Sequence, residues 1–399
     1  MYKRQLGELV RRLVLGVGDS GCAAEASLEA WYRFLIDPEP YDRLELVRCA
    51  GLGNGRCAIP MGTDEALLKQ RREFLRPDSL VAIIMLSDEN DCSVRDDGTS
   101  FSVLESNPMA RRTNVCKNRP LDPCCRPCTD TTTVSGCADT ATDPECAKGP
   151  YDPGEDSQYL RCFAQKPRFG KDFLQPIQRY VDGLTEQMVP RQDGSLVPNP
   201  LFVAAPGAEP RHPSLVFLAG IIGVPWQDIA RDPKDQNELH YKSARELHQQ
   251  GVWDIIVGDS SRGVPPSDPL MLESVDARTG KNPVTGDPIA PPSSTNPLAN
   301  PINGHEMLLT LGGTDLQYAC IFDLPRPRSC ESQGFFCDCG ANASGGSKPI
   351  CQDENGVYGS TQFRAKAFPG RRQLEVLKGF GDNAIVVSIC ARNLYDPSR

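Results

Sequence analysis

The sequence predicts an α/β protein with a mostly parallel sheet and two long disulfide-rich loop insertions. Apolar runs at 80–86, 214–224 and 383–390 have the length of strands. The first two show no polar alternation, which is typical of strands covered on both faces. Amphipathic segments lie between the runs, and this alternation of strands with helices favours a parallel sheet.

Hydrophobic periodicity predicts four helices, at 23–35, 63–75, within 172–188 and at 371–381. In the first helix, Leu28, Trp31 and Leu35 fall on one stripe, which indicates core packing. Residues that begin or end helices are expected at Thr63 or Asp64, at Pro176, and at Gly379 or Gly381.

Composition narrows the class of protein. The chain has 43 Lys and Arg against 52 Asp and Glu, a formal charge of −9, which argues against nucleic acid or an anionic membrane as the main partner. It also has 17 cysteines, far more than a reduced cytosolic enzyme usually carries. Disulfides and an oxidising compartment are therefore expected.

Two stretches interrupt the alternation of strands and helices. One holds eight cysteines among Pro, Asp and Thr, and the other combines five cysteines with dense Pro and Gly. The predicted organisation is a core in three parts separated by these insertions: core at 6–91, cysteine-rich insertion at 92–165, core at 166–224, Pro/Gly/Cys-rich insertion at 225–368, and core at 369–399.

The opening "MYKRQ" at 1–5 is predicted to be derived from a sequencing adapter, because one back-translation resembles a transposon end used for that purpose. The alternative is an ordinary basic start. On the adapter hypothesis the natural N-terminus lies upstream, together with an export signal and a partner for the odd cysteine.

Several segments occur in an order that carries a resemblance. They are "GDSGCAAEASLEAWYRFL", "FLRPDSLVAIIMLSDENDCS", "RYVDGL", "SLVFLAGIIG" and "NAIVVSIC". This series resembles the von Willebrand factor A (vWA) domains of exported bacterial proteins, over about half of the chain. The resemblance implies a Rossmann-like doubly wound sheet whose ligand crevice lies at the carboxyl ends of the strands.

The vWA resemblance also implies a divalent cation, Mg²⁺ or Mn²⁺ with Ca²⁺ as an alternative, held by oxygen ligands at those strand ends. Asp88 matches the family aspartate that follows a strand. Ser20 stands near the position of the family threonine, with Asp19 beside it, and Glu89 and Asp91 would surround the ligands. The family Asp-x-Ser-x-Ser loop would precede residue 1. The alternative for Asp88 is a helix cap or a solvated loop end.

The sequence "CCRPC" contains Cys124, Cys125 and Cys128 in a Cys-x-x-Cys spacing that can bind zinc or exchange disulfides. No second Cys or His pair stands at the usual distance, so structural disulfides are favoured. Cys337 and Cys339 in "CDC" are interpreted in the same way.

No catalytic signature is found, and three functional hypotheses follow. The first is an exported, extracellular or cell-envelope vWA-like module that binds a protein or surface ligand, meeting a membrane only through an upstream lipid anchor. The second is a metal-dependent hydrolase that gathers Asp88, Glu89, Asp91 and His305 around a cation. The third is a degenerate vWA scaffold that binds no cation.

Overall fold

A computed structural model describes residues 2–17, 24–48, 56–76, 79–96, 98–203, 209–235, 238–308, 315–331, 337–340 and 348–390. The helices are α1 (Tyr2–Val17), α2 (Ser27–Leu35), α3 (Glu65–Phe74), α4 (Gln165–Phe169), α5 (Ile177–Thr185), α6 (Trp226–Ile229), α7 (Ala244–Gln249), α8 (Val252–Ile256) and α9 (Arg371–Phe380). The strands are β1 (Arg43–Arg48), β2 (Arg56–Met61), β3 (Val81–Leu86), β4 (Met188–Pro190), β5 (Leu196–Pro198), β6 (Val216–Ile222), β7 (Cys320–Ser329), β8 (Thr361–Ala367) and β9 (Ala384–Ser388).

The central element is a three-stranded parallel sheet in the order β3–β6–β9. Its strands are the three apolar runs of the sequence, so the predicted strands and their parallel arrangement are confirmed. Three separate antiparallel pairs, β1–β2, β4–β5 and β7–β8, accompany it. The protein is thus mixed α/β with a small parallel sheet at its centre.

The prediction that strand β3 is covered on both faces is wrong for the part of the chain that the structure describes. Val81, Ile83 and Met85 are buried, whereas Ile84 is 63% exposed and Leu86 is 49% exposed. β3 lies at the edge of the sheet, and its side chains alternate between an inner face that meets helices and an outer face that meets solvent. A continuous apolar run could not distinguish these faces, because both carry aliphatic residues.

Helices α2, α5 and α9 cover the inner face of the sheet. The stripe Leu28, Trp31 and Leu35 of α2 is buried there, as predicted. The Tyr32 ring of α2 packs edge-on against Tyr180 of α5, with 5.6 Å between the ring centroids. This layer of aromatic and aliphatic side chains forms the main hydrophobic core.

The predicted helix ends are observed in the described helices. The Asp64 carboxylate accepts a hydrogen bond of 2.9 Å from the Leu67 amide and begins α3. Pro176 precedes the first residue of α5, and Gly381 follows α9 with a φ of +78°. These ends depend on local backbone chemistry, which explains why sequence alone located them.

The cysteine-rich insertion is held by disulfides. Cys92–Cys162 closes its base, and the pairs Cys116–Cys125, Cys124–Cys137 and Cys128–Cys146 cross its interior. The three cysteines of "CCRPC" therefore form structural disulfides, as favoured above. Regular structure in this insertion consists of short 3₁₀ helices, so the covalent links replace a large core.

A buried ion cluster also fixes this insertion. The Asp156 carboxylate lies 2.9 Å from the Arg161 guanidinium and 3.1 Å from that of Arg168, and the Asp156 side chain is 1% exposed. Arg161 also donates to the backbone carbonyl groups of Ser102, Glu105 and Asn107. One arginine thereby joins segments that contribute few apolar side chains.

The second insertion is more ordered than its Pro and Gly content indicates. Helices α6, α7 and α8 lie in it, and Leu247 and Trp253 join the main core. Further along, the fully buried Glu306 carboxylate lies 2.8 Å from the guanidinium of Arg278. Disulfides complete this insertion: Cys320–Cys390, Cys330–Cys337 and Cys339–Cys351.

Within the described ranges, no helix has the length and apolar character needed to cross a membrane.

We expect Asp156→Asn to lower the free energy of unfolding by about 3–5 kcal/mol, because Arg161 would remain buried without a compensating charge. Glu155→Gln is the matched control, since Glu155 pairs with Arg111 from a side chain that is 49% exposed, and the substitution should lower the free energy of unfolding much less. Urea unfolding under non-reducing conditions measures both variants. Equal losses in the two variants would contradict the assignment of the buried cluster.

Candidate functional site

The carboxyl ends of strands β3, β6 and β9 lie at one edge of the sheet, because the strands are parallel. Crevices at this edge are the usual ligand sites of open α/β sheets. β3 continues directly into the predicted residues Asp88, Glu89 and Asp91. We call this edge, with Glu25, Asp88 and Glu89, the carboxyl-edge site.

Glu25 is brought to this edge from the segment before α2. The Ser87 hydroxyl donates a 2.8 Å hydrogen bond to Glu25 Oε2. The backbone carbonyl of Asp88 accepts a 2.7 Å hydrogen bond from the backbone amide of Phe368. This bond attaches the chain after β8 to the end of β3. Gly223 permits this approach, since a Cβ there would lie 1.8 Å from the Phe368 carbonyl oxygen. The site thus combines segments from three distant parts of the chain.

Two carboxyls of the carboxyl-edge site, Glu25 and Glu89, have a raised pKa. Burial raises the pKa of Glu89 to about 7, assisted by the negative charges of Glu25 and Asp88 and opposed by Lys366. Burial also raises the pKa of Glu25, and the charge of Asp88 adds to this although the Ser87 hydrogen bond lowers it. Glu25, Asp88 and Glu89 therefore bring more negative charge to the carboxyl-edge site than the surrounding protein groups offset.

Asp91 has a different environment from its two acidic neighbours. It is 1% exposed, and its Oδ1 accepts hydrogen bonds from the Leu28 amide at 2.9 Å and the Ser93 hydroxyl at 2.7 Å. Its Oδ2 lies 3.1 Å from Nε of Arg372. The Asp91 carboxylate is consequently engaged by the fold, joining α2 and α9 to the end of β3.

Asn90 connects the second insertion to this edge. Its Nδ2 donates to Glu273 Oε1 at 2.9 Å, and its Oδ1 accepts from the Arg372 amide at 2.9 Å. Burial raises the pKa of Glu273, opposed by the charge of Arg371. Sequence reasoning missed Glu273 because it lies 183 positions from Asn90, and no local pattern marks it.

A second group of carboxyls lies beyond the end of β6. Asp228, Asp268 and Asn282 are each 0% exposed. Asn282 Nδ2 donates to Asp228 Oδ1 at 2.9 Å and to Asp268 Oδ2 at 3.0 Å. Burial raises the pKa of Asp228 well above its ordinary value, and the adjacent Asp268 raises it further. Asp228 lies in the first turn of α6, and its partners Asp268 and Asn282 are 40 or more positions away, so no local sequence pattern marks this group.

The donors present do not form a complete cation site in the described part of the chain, where no three Asp, Glu, His or Cys side chains are placed to hold a metal ion. Asp19 and Ser20 lie outside the described residues. His305 is 1% exposed, with its ring nitrogens 2.7 Å from the Glu306 carbonyl and 2.8 Å from Gln352 Oε1. Of the predicted residues, the structure thus groups Asp88 and Glu89 with Glu25, while Asp91 and His305 are engaged elsewhere.

Comparison with known proteins identifies no relative: no protein-family model, no curated protein and no solved structure matches the chain. The resemblance to vWA domains stays a prediction.

Glu89→Gln should flatten the dependence of stability on pH. The folded-state pKa of about 7 exceeds the ordinary value of 4.5, so proton uptake by Glu89 favours the folded state. This contribution is fully present below the ordinary pKa and is lost as the pH rises through about 7. Urea unfolding from about pH 5 to about pH 8 measures the slope. The exposed Glu354→Gln is the control, and identical slopes in wild type and Glu89→Gln would refute the assignment.

Asp228→Asn should stabilise the protein at neutral pH by about 1 kcal/mol or more, because it removes a buried ionisable group. An amide at this position can still accept from Asn282 and can donate to Asp268 in place of the carboxyl proton. Since the folded-state pKa of Asp228 is raised, the gain should grow as the pH rises above its ordinary value of 3.8. Thermal unfolding at several pH values tests this, with the exposed Asp254→Asn as control. A destabilised variant at neutral pH would contradict it.

Proposed function

We propose that the chain is an exported vWA-like binding module that engages a protein or surface ligand at its carboxyl-edge site. The observation that carries the proposal is the grouping of Glu25, Asp88 and Glu89 at the end of a parallel strand, where burial and mutual repulsion raise the pKa of Glu89 to about 7. A cation is the natural complement of such a site, because it relieves the repulsion.

Two forms of cation fit this chemistry. One is a basic side chain of the ligand. The other is the divalent ion implied by the vWA resemblance. Oxygen atoms of the site would coordinate this ion, and an acidic group of the ligand would supply a further oxygen. Asp88 and Glu89 are the described residues that would face such an ion, and the described donors alone do not complete its shell.

The cysteine pattern supports export. The described residues form seven disulfides, and this is compatible with an oxidising, extracellular environment. Both insertions emerge at the carboxyl ends of the parallel strands, since the first follows β3 and the second follows β6. Their rigid loops would form the rim that a ligand meets.

The degenerate scaffold, which binds no cation, stays an alternative. The hydrolase hypothesis is less favoured, because Asp91 and His305 already have protein partners.

Isothermal titration calorimetry with Mg²⁺, Mn²⁺ and Ca²⁺, and separately with a short Lys/Arg-rich peptide at low salt, tests the proposal. Measurement near pH 7 in two buffers of different ionisation enthalpy detects protons released from Glu89 when a cation binds. We expect saturable binding of one class of probe, with proton release that Glu89→Gln removes. Asp88→Asn should weaken binding by about tenfold or more.

Glu354→Gln is the control and should bind as the wild type does. Absence of binding for both classes of probe, or binding that is insensitive to both Asp88→Asn and Glu89→Gln, would contradict the module and favour the scaffold.

A further inference from the structure

The cysteine-rich insertion contains a pocket that shares no residue with the carboxyl-edge site. Its volume is about 540 Å³, within the range of small-molecule sites. One wall is the "CCRPC" segment with the turn that follows it, and the opposite wall is the turn around Gly170. We call it the insertion pocket.

The insertion pocket is basic although the chain as a whole is acidic. Its charged lining residues are four cations and two carboxylates: Arg95, Arg126, Lys166, Lys171, Asp130 and Asp172. The lining therefore carries two positive charges in excess, in a chain of net charge −9. Such local concentration of one sign attracts ligands of the opposite sign.

The two carboxylates offset only part of this positive charge. Asp130 Oδ1 accepts hydrogen bonds from the Thr132 amide at 2.9 Å and the Thr132 hydroxyl at 2.7 Å, and these bonds, together with the positive charge of Arg126, lower the pKa of Asp130. Asp172 Oδ1 accepts from the Leu174 amide at 3.0 Å. Arg95 and Arg126 donate to backbone carbonyl groups, which carry no formal charge. The pocket therefore keeps an excess of positive charge for a ligand.

Arg126 provides a second, independent sign of a missing anion. It is 6% exposed, and its terminal nitrogens donate to the backbone carbonyl groups of Thr132 and Ala138. Its Nε is a buried donor with no hydrogen-bond partner. A buried donor without a partner is costly, and an anion in the adjoining pocket that accepted from it would offset that cost.

The pocket walls are fixed before any ligand arrives. Gly170 has a φ of +75°, and a Cβ there would lie 2.2 Å from the Arg126 carbonyl carbon, so these two turns approach as closely as only glycine allows. The disulfides Cys116–Cys125, Cys124–Cys137 and Cys128–Cys146 hold the facing wall. Preorganisation of this kind lowers the entropy cost of binding.

We propose that the insertion pocket binds an oxyanion, a carboxylate, sulfate or phosphate group, carried by a small organic molecule or by an anionic glycan. Lys166 and Lys171 supply charge from the wall around Gly170, and Pro123, Pro127 and Val134 supply apolar surface for the body of the ligand. This binding is independent of the function proposed for the carboxyl-edge site.

Calorimetric titration of the intact, oxidised protein at low ionic strength tests the pocket. The probes are sulfate, phosphate, citrate and a sulfated or uronate-containing oligosaccharide. We expect saturable binding of at least one probe, weakened by added NaCl because salt screens exposed charges. Tighter binding of the oligosaccharide than of free sulfate would identify a glycan source, and equal binding would identify a free anion.

The double variant Lys166→Gln/Lys171→Gln should lose affinity by about tenfold or more. Lys117→Gln, an exposed lysine of the same insertion, is the matched control and should bind as the wild type does. Circular dichroism and thiol counting verify that each variant keeps its fold and disulfides. No saturable binding of any probe, or unchanged affinity in the double variant, would overturn the proposal.

Discussion

The buried carboxylate of Asp91 is the contact on which the carboxyl edge of the sheet depends. Ala26 precedes α2 and has no side chain that could cap it, so the first turn of that helix takes its acceptor from Asp91 through the Leu28 amide. The same carboxylate pairs with Arg372 in the first turn of α9. One buried charge therefore orders two helices against the end of β3, and the neighbouring acids Asp88 and Glu89 are positioned by that order.

Acidic and basic side chains cluster in different parts of the described structure, and each cluster has a structural cause. Acidic groups collect where parallel strands end, because the chain must turn there and polar residues occupy the turns. Basic groups collect in the insertion pocket, where disulfides fix the turn that carries Arg126. The two regions have opposite charge, so the ligands proposed for them differ in charge as well.

Sequence patterns located the elements whose signals are local. The three parallel strands, the stripe on α2 and the ends at Asp64 and Gly381 follow from apolar runs and backbone chemistry within a few residues. The exposure of Ile84 was not predictable in this way, since it depends on what lies against the outer face of the sheet.

The candidate site was predictable only in part, for the same reason. Asp88, Glu89 and Asp91 are adjacent acids after one strand, and nothing local distinguishes them. Their roles differ because Asp91 meets Arg372, 281 positions away, whereas Glu89 meets other negative charges. Glu25 enters the site through a hydrogen bond from Ser87 that spans 62 positions. Partners at such separations leave no trace in a periodic pattern.

The disulfides Cys92–Cys162 and Cys320–Cys390 each join residues 70 positions apart, and each has one end in the segment that follows a strand of the parallel sheet. The first disulfide closes the cysteine-rich insertion into a covalent ring, and the second closes a ring that contains β7, β8, α9 and β9. A protease that cuts once inside either ring opens it without releasing a fragment. The nicked chain keeps its full mass until a reductant is added, and the exposed loops can be cleaved while the sheet they surround stays in one piece.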